Sequence, residues 1–380
     1  MGNENIDVNN MYKLPWTKDD NPDGWIEVTT YCQLKCPGCY RGLAEKDPSR
    51  LHEDLEKMKS QIDCFIQTRN IQTLSIAGGE PLLYPKLKEV IEYAKSKGIK
   101  TKVFTNGVAL AEENLLELKE AGVTEFVVHI DKYQDRPDME GMKNTNELRE
   151  KFCKLFRKIK DVNLGFIMPV SGEDYSELED TIELCKKNSD IINLLVLSPY
   201  KNILTTENRT FEQKNLQNPN ITKLSNFISD QFNSKPCAYL GKVHNKDQPS
   251  WIFTVPVFYN NKTIGHLDAS LYKRFQERYR KKKGKYFITI KGNKINPTSI
   301  LPLALKKNVS EILLNYRKEK GKSQNKNLRY QVILIIDGPE KVNGKWNLCD
   351  GCPDAMYHNG KLVPSCLLER VKSGEDIFIQ

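Results

Sequence analysis

Between residues 24 and 197 six strand-like stretches alternate with stretches whose apolar residues recur at helical spacing, and few folds accept that alternation. The strands are expected at Gly24–Thr30, Thr73–Ile76, Lys100–Thr105, Thr124–Ile130, Asn163–Met168 and Ile191–Leu197. The helices between them are expected from about Leu51, with Leu51, Leu55, Met58, Ile62 and Phe65 on one face, then at Lys86–Ser96, Ala111–Ala121, Glu147–Ile159 and Tyr175–Lys187. Gly98 and Gly122 stand where helix ends favour a residue tolerant of positive φ. Strands and helices in this rhythm predict a parallel α/β sheet, and the short spacing predicts a partial (β/α)6 TIM-type barrel with a C-terminal α+β extension.

Four regions are expected: an N-terminal arm (1–22), the barrel (23–205), a connector with a basic substrate or partner region (206–336), and a C-terminal module (337–380). At 380 residues, 39% hydrophobic and 28% charged, the chain has the composition of an ordinary soluble globular protein. No apolar run is long enough to span a bilayer and the start is polar, so a transmembrane segment is not expected and the default location is cytoplasmic. The net charge of +9 is unevenly placed: Leu271 to Tyr330 holds 18 Lys and Arg against 3 Asp and Glu. Within it Leu271, Tyr272, Phe275 and Tyr279 mark one face of a basic helix, a pattern that suits either an anionic membrane surface or packing on the barrel.

The first strand runs into Cys32-Gln-Leu-Lys-Cys36-Pro-Gly-Cys39-Tyr40. Three thiols so close, bent back by Pro37-Gly38, can converge on one metal centre and leave a coordination position open. A structural zinc site is the plainer alternative, but it wants four ligands and no fourth is near. Functional groups in parallel α/β folds gather at the carboxyl ends of strands. There the sequence offers Gly78-Gly79-Glu80-Pro81, Asn106-Gly107 and His129-Ile130-Asp131. The glycines would let a ligand approach the main chain, and Glu80 would accept from an ammonium group.

These residues resemble the radical S-adenosylmethionine (radical SAM) enzymes. The resemblance rests on the spacing of Cys32, Cys36 and Cys39 with Tyr40 beside the last, on Gly78-Gly79-Glu80-Pro81 after the second strand, and on the strand and helix order over about residues 24–200. It implies a 4Fe-4S cluster on the three cysteines, S-adenosylmethionine on the open iron, and reductive cleavage to methionine and a 5'-deoxyadenosyl radical that abstracts hydrogen from a substrate. It further implies a reductant such as flavodoxin or ferredoxin. By position Gly78, Gly79 and Glu80 would hold the methionine amino end, Tyr40 would lie near the adenine, and Asn106, His129 and Asp131 would meet the ribose or carboxylate. His129 departs from the serine common in relatives, and the fifth strand lacks a glycine-rich adenine motif.

Cys349-Asp-Gly-Cys352-Pro and, after Asn359-Gly360, Cys366 resemble the opening of an auxiliary-cluster (SPASM or twitch) module. That implies a second iron-sulfur cluster on Cys349, Cys352 and Cys366, with a zinc knuckle as the structural alternative. Cys237 is a candidate fourth ligand or a hydrogen-atom donor, and Asp131 the other catalytic candidate. Cys64, Cys153 and Cys185 are expected to pack as small hydrophobes, and His52, His244, His266 and His358 show no ligand spacing. The expected substrate is a peptide or protein, with a lipid-like anionic amphiphile as rival. RNA ranks last for want of a recognisable binding motif, and a non-catalytic iron-sulfur scaffold stays open as a different class of function.

Overall fold

The computed structural model describes residues 6–34, 36, 39–41, 52–201, 217–288, 292–300, 303, 307–320 and 328–379. The Pro37-Gly38 bend, Leu51, most of the connector at 202–216 and parts of the basic run lie outside the described residues.

Near the start β1 (Tyr12–Lys13) and β2 (Asp23–Thr29) precede a series of helix and strand pairs. The series is α1 (Leu55–Arg69), β3 (Thr73–Gly78), α2 (Leu87–Ser96), β4 (Lys100–Thr105), α3 (Glu112–Ala121), β5 (Val123–His129), α4 (Thr145–Ile159), β6 (Asn163–Val170), α5 (Ser176–Lys187) and β7 (Ile192–Pro199). From β2 to β7 each strand pairs in parallel with the next. Parallel strands are covered on both faces, which is why β2 is buried along its whole length, Asp23 and Glu27 included. On the helices only one stripe faces inward: Leu87, Val90, Ile91 and Ala94 of α2 are buried at helical spacing. Asp54 caps α1, accepting from the amides of Glu56 and Lys57. Gly98 follows α2 with a φ of 75°, and Gly122 closes α3 with a φ of 119°, a region other residues enter at a cost.

Beyond β7 come α6 (Ile221–Phe232), β8 (Pro236–Gly241), β9 (Pro249–Thr254), β10 (Pro256–Tyr259), β11 (Lys262–His266), α7 (Ala269–Lys283), β12 (Lys294–Ile295), α8 (Pro297–Ile300), α9 (Lys307–Lys320), β13 (Leu328–Tyr330) and β14 (Val332–Ile336). The sheet continues through this region: β14 lies parallel to β7, β9 runs antiparallel to β14, and β8 and β1 complete an open ten-stranded order ending at β2. Leu14 and Trp16 of the arm are buried beside Phe253 of β9. A separate sheet, β11-β10-β13-β12, carries α9 on it through Val309, Ile312 and Tyr316.

The apolar face of the basic helix α7 packs inward. Leu271 and Tyr272 are buried, Tyr272 lies against Phe253, and the Gln276 amide donates to the Phe287 carbonyl. The amphipathic pattern is thus accounted for by packing. No described helix is long and apolar enough to cross a membrane.

The chain ends with β15 (Glu340–Val342), β16 (Lys345–Asn347), β17 (Ala355–His358), β18 (Lys361–Pro364) and α10 (Leu368–Lys372). The β17–β18 hairpin seats Met356 and Val363 in one apolar cluster with Trp25 of β2 and Ala77 of β3, so this module covers the β2 end of the sheet.

Candidate active site

A cavity of about 210 Å³ opens at the carboxyl ends of β2 to β7. Cys32, Cys36 and Cys39 lie on its wall together with Tyr40. Gly78, Gly79, Asn106, His129 and Asp131 line it as well, so strand ends far apart in sequence supply one ring.

The two glycines are required by the chain itself. The amide of Gly79 donates to the Thr29 carbonyl at 2.8 Å and that of Glu80 to the Tyr31 carbonyl at 2.7 Å, which presses the β3 turn against the start of the cysteine loop. A Cβ at Gly79 would overlap the Tyr31 carbonyl oxygen, and one at Gly78, whose φ is +138°, would overlap that of Thr29. Gly79→Ala is therefore expected to cost about 2 kcal/mol of stability, the scale of overpacking against a rigid neighbour. A thermal melt beside an iron assay checks this: a lower Tm with less cluster loaded is expected, and an unchanged protein would contradict the close approach.

Glu80 faces away from the cavity. It is fully buried, and its carboxylate accepts from the Thr105 hydroxyl at 2.5 Å, the Asn106 amide at 2.7 Å and the Leu82 amide at 3.0 Å. Burial raises its pKa while those three donors oppose the shift. The expected ammonium acceptor is instead a brace joining the ends of β3 and β4, and it places Asn106. The Asn106 side chain then reaches both Gln33 at 3.3 Å and the Cys32 sulfur at 3.8 Å.

At the end of β5 the His129 Nε2 stands 2.7 Å from the Asp131 carboxylate. Asp131 is buried; although burial works against it, the His129 contact and the Tyr133 amide hold its pKa below the usual carboxylate range. Two residues that sequence reasoning missed finish this side. Arg136, buried, donates to the Asn106 carbonyl at 2.7 Å and the His129 carbonyl at 3.1 Å, tying β4 to β5. The Gln134 amide reaches the Cys36 sulfur at 3.6 Å. Neither belongs to a motif, and only the folded loop after β5 reveals them.

Tyr40 and Arg41 anchor the far end of the cysteine loop. The Tyr40 hydroxyl donates to Glu27 at 3.3 Å. Buried Arg41 pairs with Glu27 of β2 and, at 2.6 Å, with Glu369 of α10. One guanidinium thus links the loop, the first strand of the parallel series and the C-terminal module.

A second cavity of about 190 Å³ adjoins the first, and Trp25, Cys39, Tyr40 and Phe104 line both. Cys349, Cys352 and Cys366 line the second cavity, together with Asp354. The Cys349–Cys352 turn is held by Asn21, whose amide donates to the Gly351 carbonyl at 2.7 Å, and by Arg69, which donates to the Cys352 carbonyl at 2.9 Å. Burial, followed by the Asp23 carboxylate, pushes the Asp354 pKa up to about 8. Cys237 lines neither cavity: its thiol donates to the Phe253 carbonyl at 3.3 Å inside the sheet, where it packs as a small apolar group. It is placed for neither of its two expected roles.

The donors of the first cavity fit an iron-sulfur cluster in their chemistry. Three thiols share one wall, and amide groups of Asn106 and Gln134 approach two of the sulfurs, as the partners of metal-bound thiolates do. Burial raises the Cys32 thiol to about 11 and drives that of Cys36 higher still, so these sulfurs ionise when a cation compensates. Among the described residues no group of three or more Cys, His, Asp and Glu side chains already stands at metal-holding distance.

The profile of the radical SAM superfamily matches residues 26–185, which spans β2 to α5 and contains the whole cysteine loop. The chain carries a radical SAM domain. Among curated relatives, it is 25% identical over 207 residues to the 7,8-dihydro-6-hydroxymethylpterin dimethyltransferase of Methanocaldococcus jannaschii, a match covering 52% of this chain and 40% of the relative. It is 31% identical over 105 residues to the AdoMet-dependent heme synthase of Oleidesulfovibrio alaskensis, covering 28% of this chain and 26% of the relative. The Fe-coproporphyrin III synthase of Methanosarcina barkeri matches at 29% over 140 residues, covering 34% of this chain and 32% of the relative. The chain therefore spans well under two thirds of these relatives. Among solved structures, Streptococcus suis SuiB bound to S-adenosylmethionine aligns with a TM-score of 0.44 at 16% identity, covering 57% of this chain and 48% of that one.

Proposed function

We infer that the protein is a radical SAM enzyme in which Cys32, Cys36 and Cys39 hold a 4Fe-4S cluster and S-adenosylmethionine occupies the cavity beside it. When bound and reduced by an external donor such as flavodoxin or ferredoxin, the cluster supplies the electron that cleaves S-adenosylmethionine to methionine and a 5'-deoxyadenosyl radical. The chain's own residues supply position and exclusion of water. In this reading the main chain at Gly78 and Gly79 meets the amino end of the ligand. Glu80 and Arg136 fix Asn106, and the His129–Asp131 pair presents an imidazole to the ribose or carboxylate. The observation that carries the reading is the convergence of three thiols and this polar ring on one cavity at the strand ends.

Cys349, Cys352 and Cys366 would hold a second iron-sulfur cluster in the adjoining cavity, where an electron leaving a substrate radical could be received. Replacing Cys349 and Cys352 by Ala is expected to remove roughly half of the reconstituted iron, two clusters becoming one, while 5'-deoxyadenosine is still formed. Unchanged iron would overturn the second cluster.

A peptide segment is the substrate this architecture suits. An outer groove of about 990 Å³ lined by Asp247, Gln248, Glu340 and Trp346 shares Lys201 and Pro339 with the inner cavity, and in this reading an extended chain lies in the groove beside that shared wall. A small ring-shaped cofactor is the second reading, favoured by the names of the curated relatives. Incubating loaded enzyme with candidate peptides or with pterins and porphyrins, and measuring the rise in 5'-deoxyadenosine, separates the two. Stimulation by the small molecules alone would sink the peptide reading.

A further inference from the structure

We propose that Asp354 is the fourth protein ligand of the second metal centre, giving it three thiolates and one carboxylate. This inference rests on the reading of Cys349, Cys352 and Cys366 as a metal site and adds a donor that their spacing does not reveal.

Three observations converge on it. The β17–β18 register pairs Ala355 with Pro364, and the Ser365 amide donates to the Asp354 carbonyl at 2.9 Å. Asp354 is thereby locked across the hairpin from the residue before Cys366, while Pro353 alone separates it from Cys352. The hairpin thus delivers Cys352, Asp354 and Cys366 to one wall, with Cys349 completing it.

Among the described residues two carboxylates line this cavity, and they differ in what they do. Asp23 is engaged: it accepts from the Ser75 hydroxyl at 2.7 Å and the Gly24 amide at 3.0 Å, and Lys102 lies 3.8 Å away. The Asp354 carboxylate makes no hydrogen bond or ion pair with a described residue. Asp354 is half-buried and faces the cavity beside the three thiols, so its carboxylate is free to serve a metal ion there as an oxygen donor.

Among the described residues the one further thiol on this cavity is Cys39, and it is already assigned to the first cluster. Cys237 is turned into the sheet toward Phe253. An oxygen donor in place of a fourth thiol makes one iron of the second centre harder and more exchangeable than the three held by sulfur. That iron is the one a substrate's own sulfur or nitrogen could reach.

The test uses the full chain with Cys32, Cys36 and Cys39 replaced by Ala, so that any reconstituted iron belongs to the second site. Asp354→Asn and Asp354→Cys are then compared with this parent by electron paramagnetic resonance of the dithionite-reduced protein and by the rate of iron loss to a chelator. Removing an outer-shell partner already weakens metal sites by about 10–100-fold, so loss of a true ligand in Asp354→Asn is expected to speed iron release at least ~10-fold. Asp354→Cys should retain iron and shift the resonance. If Asp354→Asn does not fold, the Asp354→Cys spectrum decides alone. A resonance and release rate identical to the parent would overturn the assignment of Asp354 while leaving the second cluster intact. A parent that takes up no iron would overturn the second cluster, and this inference with it.

Discussion

Cys36→Ala is expected to abolish 5'-deoxyadenosine formation and to strip the first cluster from the protein. Cys36 is one of three thiols on the cavity wall, and the Gln134 amide is directed at its sulfur. Three thiolates are the least that holds a cubane with one iron free, and two leave it open to solvent and loss. Outer-shell changes alone cost metal sites about 10–100-fold, so removal of a ligand should lower turnover by at least about two orders of magnitude. Fold should survive, because Cys36 is only partly buried and belongs to no helix or strand. Circular dichroism and a product assay on one preparation check both halves. A folded variant that still makes 5'-deoxyadenosine at the parent rate would remove Cys36 from the cluster.

Arg41→Ala is expected to give the largest loss of stability. The guanidinium is buried between Glu27 and Glu369, and burial lowers its pKa despite the Glu369 carboxylate. Replacing this centre by a well-packed apolar group could be nearly neutral, but deleting one partner of a buried pair is different. It leaves the Glu27 carboxylate, 6% exposed, without its cation, at a cost of about 3–5 kcal/mol. Because Arg41 also bridges to α10, the C-terminal module should loosen first. Denaturant titration with hydrogen exchange across 340–379 checks this: faster exchange there is expected, and exchange confined to 23–41 would contradict the bridge. Arg41→Met is expected to recover little, since both carboxylates remain.

The parallel series was legible because β2 to β7 are covered on both faces, and such strands announce themselves as apolar runs between helical stretches. The place of β14 was not legible: it enters the sheet between β7 and β9, a pairing decided by which edge stands unpaired after β7. At the site, Cys32, Cys36, Cys39, Gly78 and Gly79 stand out in the sequence by their spacing, and they line one cavity. Glu80 does not, because the Thr105 hydroxyl and Asn106 amide that claim it arrive from the next strand. The amphipathic pattern of α7 was real, but whether its apolar side meets lipid or protein depends on Phe253 and Phe287, which only folding brings there. Asp354 and Arg41 were overlooked for a similar reason, since each matters through a cross-chain neighbour rather than a sequence motif.

The most direct test of the central claim is anaerobic reconstitution of the full chain with iron and sulfide, reduction with dithionite in the presence of S-adenosylmethionine, and chromatography for 5'-deoxyadenosine and methionine, repeated with cell extract as a source of substrate. The account predicts both products in equal amounts from the loaded protein, with more formed in extract. A fully loaded cluster that yields neither product, with and without extract, would contradict it and leave the fold as an iron-sulfur scaffold.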